Sequence, residues 1–389
     1  MTRKFRRLIS GSLFAILSVA AAHSQGAVAD NQRLQDVQGH YRLAQSFEQK
    51  SDWAAAEREW REVLKLAPRD ARAWTNLGVA LNKQNKTVEA VDAWQHAIEI
   101  DPQLAGALFN IGLVRVREQR YGEAVPFLRR ALAVAPDNDG ARRALALALV
   151  GTEQFREATR EIARLLRDSP RDAQLLELAA ESLMRQRRFG EAATILKRRL
   201  ALDNETSRLW AQYGDALDGD NRTTEALDAY KRAVKLEPDS TITRYGLGYL
   251  YWKLYRYDEA ERELSEVLRR DEHDARAAFT LGDLYLTKHD ANRALPLLKL
   301  AASAYPNEFD TRFALGRALM QTGDVRAGVE ELRAAVRLDE TIADGHYQLG
   351  RALMQAGQAE EAKRELNRAT ELHNSKRTSE RLPSLKSPQ

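Results

Sequence analysis

Aromatic side chains are concentrated in one short stretch of the chain, RYGLGYLYWKLYRYDEA, at residues 244–260. The stretch contains five of the twelve tyrosines and one of the six tryptophans. Tyr245, Tyr249 and Trp252 are separated by four and then three residues, a spacing that places them on one face of an α-helix. Because three rings on one face can stack on a ligand, the stretch is a candidate binding site for peptide side chains or sugar rings.

No other group of residues has the spacing that catalysis or metal binding requires. The chain has no cysteine, which excludes disulfides, thiolate metal sites and a cysteine nucleophile. Its seven histidines form no HExxH motif, and GLG at 246–248 does not begin a GxGxxG phosphate loop. Asp215 and Asp218 are paired carboxylates, but on an open, solvated surface we expect no raised pKa. We therefore predict a non-enzymatic protein with no catalytic residue, metal site or cofactor.

A repeat positions the aromatic residues. Six prolines recur at intervals of 34 or 68 residues: Pro68, Pro102, Pro136, Pro170, Pro238 and Pro306. A 34-residue frame with these prolines at position 32 runs without a gap over residues 37–376 and gives ten repeats. Position 20 is Ala in nine repeats, and position 8 is Gly in seven repeats and Ala in three.

The residues that recur in this frame predict pairs of helices. Position 24 is large and apolar in every repeat, from Trp60 to Leu366. Large residues opposite the small residues at positions 8 and 20 favour two closely packed antiparallel helices in each repeat. Gly inside a helix costs roughly 0.5–1 kcal/mol relative to Ala, so its recurrence at position 8 indicates a close approach of two helix backbones.

One repeat carries a known signature. The segment AWTNLGVALNKQNKTVEAVDAWQHAIEIDP, residues 73–102, resembles the tetratricopeptide repeat. Seven of its residues fill signature places: Trp74, Leu77, Gly78, Ala90, Trp94, Ala97 and Pro102. The resemblance implies an all-α fold, an α-solenoid of ten 34-residue helix-turn-helix repeats that forms a right-handed superhelix. Departures at Arg115, Arg199, Asn204 and Gly328 predict local changes of packing.

In this family the first helix of each pair lines a concave groove that usually holds peptide segments or other proteins. The three rings then occupy groove positions 5, 9 and 12, and the stripe continues with Leu286 at position 12. The candidate ligand-binding residues of the last four repeats are Tyr245, Tyr249, Trp252, Phe279, Phe313, Arg317, Met320, Tyr347, Arg351 and Met354. Aromatic and Met side chains edged by Arg suit an extended peptide with apolar anchors and an acidic group. Alternatively, these side chains pack against the next repeat and hold no ligand.

Two asparagines are further candidates. Asn76 and Asn110, both at position 6, resemble asparagines with which some family members grip a peptide backbone or a terminal carboxylate. The carboxylate-gripping form also has Lys at position 5, where this chain has Thr75 and Phe109. We therefore expect no terminal-carboxylate clamp, and the asparagines are either peptide ligands or part of the repeat consensus.

The first 29 residues differ in composition from the rest. Four basic residues precede an apolar run at 13–22, which predicts a secretory signal peptide cleaved after Ala29 or Ser24. The run is shorter than the ~20 residues of a spanning helix. The net charge of +4 resides entirely in this leader, so the rest of the chain is formally neutral and nucleic-acid binding loses its electrostatic basis.

These observations predict an organisation and a function. Residues 1–29 are the signal peptide, 30–36 a short lead-in, 37–376 the repeats and 377–389 a disordered polar tail. We expect an exported scaffold, periplasmic or secreted, without a membrane span after cleavage, that holds a protein or peptide along its groove. The alternative is a glycan-binding accessory of envelope polysaccharide handling that uses the aromatic groove of repeats 7–10. A third hypothesis is association of copies into a homo-oligomer through the terminal repeats.

Overall fold

The computed structural model describes residues 31–202 and 205–381, with side chains described as far as residue 375. The predicted signal peptide lies outside the described residues. The described part of the chain is helical and contains no strand. It divides into two compact units, unit 1 up to Gln186 and unit 2 from Arg187.

Unit 1 contains nine helices among its described residues. The odd-numbered helices are the first helices of the repeats, and the even-numbered ones are the second helices. They are α1 (31–49), α2 (Trp53–Leu66), α3 (Ala71–Lys83), α4 (Thr87–Ile100), α5 (Ala105–Arg117), α6 (Tyr121–Val134), α7 (Asp139–Gly151), α8 (Phe155–Asp168) and α9 (Ala173–Arg185).

Unit 2 begins with a second helix and then contains five complete pairs. Its described helices are α10 (Phe189–Leu200), α11 (Ser207–Gly219), α12 (Thr223–Leu236), α13 (Thr241–Lys253), α14 (Tyr257–Arg270), α15 (Ala275–Thr287), α16 (Ala291–Ala304), α17 (Phe309–Thr322), α18 (Val325–Leu338), α19 (Ala343–Gln355) and α20 (Ala359–Arg381). Within the unit, α11, α13, α15, α17 and α19 contact one another in series.

The helix boundaries follow the 34-residue frame. From α3 onward every first helix begins at position 1, and every second helix from α2 to α20 begins at position 17. Between the two helices, position 15 adopts a positive φ in every repeat, for example 63° at Asn85 and 59° at Tyr255. This left-handed residue reverses the chain, and only Gly323 and Gly357 relieve its steric cost with glycine. The predicted helix-turn-helix repeats are confirmed.

The small residues at position 8 pack against large side chains of the second helix. A Cβ placed on Gly248 would lie 2.9 Å from Leu264 Cγ, and one on Gly282 would lie 2.7 Å from Leu298 Cγ. These leucines stand at position 24 of the second helix and are fully buried. A Cβ on Gly282 would also lie 3.5 Å from the backbone oxygen of Ala294, so the two helix backbones approach closely, as predicted. The pairing of small and large positions is as predicted.

A polar contact also joins the two helices of a repeat. Position 4 is basic in five repeats, and each time it faces Glu at position 23: His40–Glu59, Arg142–Glu161, Arg244–Glu263, Arg312–Glu331 and His346–Glu365. Arg312 also donates to the carbonyl oxygen of Pro306 at 3.0 Å, so the side chain holds the preceding turn as well. Where position 4 is Trp, Leu or Ala, position 23 is apolar.

Three departures from the repeat pattern have physical explanations. Arg115 is mostly buried but lies 2.8 Å from Glu118, which compensates the charge. The second helix that contains Arg199, α10, is two residues shorter than α12, α14, α16 and α18. Gly328 replaces Ala at position 20, and the Met320 sulfur fills the place of the missing methyl, 2.6 Å from where its Cβ would lie. Asn204 lies outside the described residues.

The last helix is longer than the sequence predicted. α20 continues to Arg381, so residues 377–381 of the expected disordered tail are helical. No Gly or Pro occurs between Gly357 and Pro383 to end the helix earlier. Residues 382–389 lie outside the described part. Among the helices that the structure describes, none combines the length and the apolar character needed to cross a bilayer.

Candidate functional site

The candidate site lies on one face of unit 2, formed by side chains at positions 2, 5, 9 and 12 of the first helices α11, α13, α15, α17 and α19. We call it the first-helix face. The frame places these four positions on the same side of each helix, since they are separated by three or four residues. Neighbouring first helices contact one another, so the side chains of successive repeats meet on this face.

Three rings on α13 form a stacked series that we call the aromatic ladder. The ring centroids of Tyr245 and Tyr249 are 6.3 Å apart at 29°, and those of Tyr249 and Trp252 are 5.6 Å apart at 30°. All three rings are half-buried. Tyr251 is buried in the core, and Tyr255 is 79% exposed in the turn between the helices. The stretch at 244–260 therefore divides into core, turn and ladder.

Trp252 connects the ladder to a carboxylate on the next first helix. Its indole Nε1 donates to Asp283 Oδ2 at 3.2 Å, and Arg317 Nη1 lies 3.9 Å from Asp283 Oδ1. Burial raises the pKa of the Asp283 carboxyl, although Arg317 and the Trp252 hydrogen bond act in the opposite direction. The indole nitrogen and the carboxylate thus satisfy each other across two repeats.

At the other end of the ladder lies a cavity of about 330 Å³. The side chains that line it come from four helices, α11, α12, α13 and α15: Asp215, Asp218, Tyr230, Ile242, Tyr245, Gly246, Tyr249, Leu250 and Arg276. Ligand pockets range from about 300 to 1,000 Å³, so this cavity has room for a side chain or a small group. It is a half-open cavity on the first-helix face.

Asp215 is the acidic group of this cavity. The Tyr230 hydroxyl donates to Asp215 Oδ1 from the second helix. Burial by the surrounding protein raises the pKa of the Asp215 carboxyl, Asp218 raises it further, and only the Tyr230 hydrogen bond lowers it. The side chain is still reached by water through the cavity. The expectation of no raised pKa is therefore wrong for this carboxyl, although Asp215 is exposed to solvent as expected.

The other charged residues at the cavity have partners. Asp218 accepts from Lys253 Nζ at 2.8 and 2.9 Å and from Thr223 Oγ1 at 2.8 Å. The Arg276 guanidinium lies over the Tyr245 ring, 4.8 Å from its centroid, and 3.5 Å from Asp274 Oδ2. Arg276 therefore covers one face of the first ladder ring.

The predicted stripe is interrupted beyond the ladder. Phe279 and Phe313 are half-buried, and Phe313 stacks on Phe309 with centroids 5.2 Å apart. Leu286 is only 1% exposed, so position 12 of this repeat belongs to the core. Met320 is turned toward Gly328 in its own helix pair.

The last repeat presents a second, open group on the same face. Tyr347 is 46% exposed and Met354 is 57% exposed. Arg351 lies over the Tyr347 ring, 5.9 Å from its centroid, in the same way that Arg317 lies 5.7 Å from the centroid of Phe313. The guanidinium groups thus accompany the rings along α17 and α19 and remain accessible to solvent.

The two candidate asparagines belong to unit 1. Asn76 on α3 and Asn110 on α5 are both half-buried at position 6. Next to Asn76, the carbonyl of Thr75 accepts from Trp94 Nε1 at 3.0 Å. A role of either asparagine in binding stays a prediction. Within the described residues of both units, no group of three or more His, Asp or Glu side chains is arranged to hold a metal ion.

Sequence reasoning missed three participants in the site. Tyr230 was an apolar core position in the frame, yet its hydroxyl reaches Asp215. Arg276 and Asp283 lie on the helix after the ladder, and their contacts with it depend on how successive repeats are placed. The frame itself held part of this signal, since positions 2 and 9 share a face with positions 5 and 12.

Known proteins share these repeats. Two family models, both described as tetratricopeptide repeats, match residues 41–105, 177–241 and 313–376 and residues 115–182 and 219–284. Together they cover well over half of the chain. No curated protein matches it.

Several solved structures are similar to parts of the chain at low identity. MamA from Desulfovibrio magneticus RS-1 is 22% identical over 45% of this chain and 98% of its own, with a TM-score of 0.41. The Cut9–Hcn1 hetero-tetramer of the APC/C is 14% identical over 85% of this chain and 72% of its own, with a TM-score of 0.48. Naa15/Naa10 bound to HypK-THB is 16% identical over 86% of this chain and 63% of its own, with a TM-score of 0.46. The assignment rests on the matching models and the helix pairs: the chain belongs to the tetratricopeptide repeat family.

Proposed function

We propose that the chain is a non-enzymatic, exported scaffold that binds a protein or peptide segment along the first-helix face of unit 2. The observation that carries the proposal is the aromatic ladder, whose half-buried rings lie between two carboxylates with raised pKa, Asp215 and Asp283. Half-buried rings and crowded acids together form a surface with unused capacity for apolar contact and hydrogen bonding.

The shape and charge of the face suit an extended segment. Apolar side chains of the segment can contact the ladder and then Phe279 and Phe313. The guanidinium groups of Arg317 and Arg351 can pair with an acidic group farther along, because Arg binds carboxylate in a planar, bidentate manner. Binding of peptide segments is also what membership of this family leads us to expect.

The exported location rests on the composition of residues 1–29 alone. Fractionation of cells that produce the protein, with mass spectrometry of its N-terminus, tests this part separately. We expect a mature chain in the extracytoplasmic fraction that begins near Asp30 or Gln25. An intact leader in the cytosolic fraction would contradict export without affecting the binding face.

Glycan binding is the weaker candidate. A ring that stacks on a sugar needs an open face, whereas the ladder rings stack on one another and Arg276 covers Tyr245. Binding of the purified protein to a glycan array, lost in the Trp252→Ala variant, would favour this candidate over a peptide scaffold.

The test of the peptide scaffold is affinity capture from cell extract with wild-type protein and a Tyr249→Ala, Trp252→Ala variant. We expect one partner to be enriched by the wild type and lost from the variant, because the ladder supplies the apolar contacts. Its matched control is Tyr255→Ala, which removes a ring that is 79% exposed but lies off the first-helix face.

Capture by the two variants is compared with that by the wild type only if their melting temperatures equal that of the wild type. Equal capture by the wild type and the double variant would refute the proposed face. Equal loss in the double variant and in Tyr255→Ala would assign binding to aromatic exposure in general rather than to the ladder.

A further inference from the structure

The cavity beside the ladder has an unbalanced charge. Of the charged side chains in its lining, Asp218 is paired with Lys253, and Arg276 is held by Asp274 and the Tyr245 ring. Asp215 has no cationic partner among the described residues, and its hydrogen bond comes from a neutral hydroxyl, that of Tyr230. The cavity therefore keeps one negative charge that the protein does not neutralise.

The walls around Asp215 suit an organic cation with an aliphatic stem. Tyr245 and Tyr249 line the cavity, and their rings offer apolar surface against which an aliphatic stem can pack. At the rim, Ile242 is 68% exposed and offers an apolar surface against which a hydrocarbon stem can lie. A hard metal ion would be poorly held, because Ca²⁺ requires six to eight oxygen ligands and this carboxylate stands alone.

We propose that this cavity receives a lysine or arginine side chain of the bound segment, with Asp215 as its ion-pair partner and Tyr245 and Tyr249 as the aromatic wall. The inference rests on the proposed function, since it names a chemical feature of the same partner. It also gives the segment a direction: its basic residue lies at α11–α13, and its acidic group lies toward Arg317 and Arg351.

The proposal predicts that one substitution in the cavity weakens binding of the partner's basic residue without disturbing the fold. Asp215→Asn removes the charge and keeps the shape, and the amide oxygen can still accept from Tyr230. A hydrogen bond to a charged group contributes enough that its loss weakens binding about 10- to 100-fold. Asp228→Asn is the matched control, because Asp228 is exposed on α12 and pairs with Lys231.

The experiment is selection of peptides from a random display library on the immobilised wild-type protein. Selected peptides are then synthesised with each Arg replaced by citrulline, its neutral analogue, or each Lys by norleucine. Their affinities are measured for the wild type, Asp215→Asn, Asp228→Asn and the Tyr249→Ala, Trp252→Ala variant. The peptide replacement tests the charge without altering the protein.

Three outcomes are distinguishable. The proposal is supported if selected peptides carry a basic residue and lose about tenfold or more in affinity, both with citrulline or norleucine and with Asp215→Asn alone. Peptides that require the ladder but bind wild type and Asp215→Asn equally would overturn the basic anchor and leave the proposed function intact. If no selected peptide requires Tyr249 and Trp252, the proposed function fails and the anchor fails with it.

Discussion

The two sides of unit 2 treat their carboxylates in opposite ways. On the second-helix face, the exposed side of α12, α14, α16 and α18, acids pair with arginines three or four residues away. Arg222 lies 2.7 Å from Glu225, and Glu266 accepts from Arg269 and Arg270 at 2.7 Å each. These hydrogen bonds lower the pKa of Glu266 to about 2.

On the first-helix face the carboxyl pKa values shift in the opposite direction. Burial raises the pKa of Asp215 and of Asp283, and the groups around them are largely tyrosine and tryptophan rather than arginine. Exposed ion pairs add little stability, but they neutralise the acids that take part in them. The contrast teaches that several acids on one side of unit 2 are held by nearby arginines, whereas Asp215 on the other side has no cationic partner among the described residues. An acid that folding leaves without such a partner is a reasonable place for a ligand.

The largest expected effect on the stability of the protein comes from the buried layer between the first-helix face and the second-helix face. Leu264 is fully buried against Gly248, so Leu264→Ala leaves a cavity and should destabilise the protein by about 2–5 kcal/mol. A urea denaturation series followed by circular dichroism measures this effect. Leu264→Met is the control and should cost less than about 1.5 kcal/mol. Equal destabilisation by the two variants would show that this layer does not hold the sides together.

A smaller effect is expected in the turn that joins the sides. Tyr255 has a φ of 59°, which costs a non-glycine residue about 1–2 kcal/mol, while Gly loses about 0.5–1 kcal/mol of chain entropy. Tyr255→Gly should therefore stabilise the protein by up to about 1 kcal/mol, visible as a higher melting temperature. Tyr255→Ala keeps the strained φ and should give no gain. A glycine variant that melts below the alanine variant would contradict this.

The smallest expected effect is on the pH dependence of the melting temperature, which directly tests the contrast between the two faces. Ionised Asp215 is disfavoured in the folded protein, so Asp215→Asn should raise the melting temperature at neutral pH. That gain should vanish as the pH falls through the raised folded pKa to the unfolded value of about 3.9, because wild-type Asp215 is then neutral too.

Glu266→Gln should behave in the opposite way. The ionised carboxylate is stabilised in the folded state, so the variant should melt lower at neutral pH. The difference should disappear between about pH 4.3, the unfolded value, and the folded pKa of about 2. Melting curves of both variants and the wild type across this range measure the two signs. If both substitutions shift stability in the same direction, the two sides do not differ as described.

The repeat fold was predictable because its determinants are local to one repeat. Gly or Ala at position 8, Ala at position 20 and a large residue at position 24 define a helix pair, and they recur at a fixed interval. The Arg142–Glu161 type of contact was readable as well, since a basic position 4 always accompanies Glu at position 23. That correlation within the chain is enough to predict the contact without a structure.

The details of the site were less predictable because they depend on neighbouring repeats. The spacing of Tyr245, Tyr249 and Trp252 predicted one face, and the ladder confirms that they share it. The burial of Leu286 and the raised pKa of Asp215 depend on how closely neighbouring helices approach, which no spacing within one helix encodes.

The most direct test of the binding face is site-specific photo-crosslinking. Benzoylphenylalanine is placed at Tyr249, on the ladder, or at Tyr255, in the exposed turn, and the protein is irradiated in intact cells. We predict a discrete adduct of higher mass from position 249 and none from position 255. An adduct from position 255 with none from position 249 would contradict the claim that the first-helix face of unit 2 holds the partner.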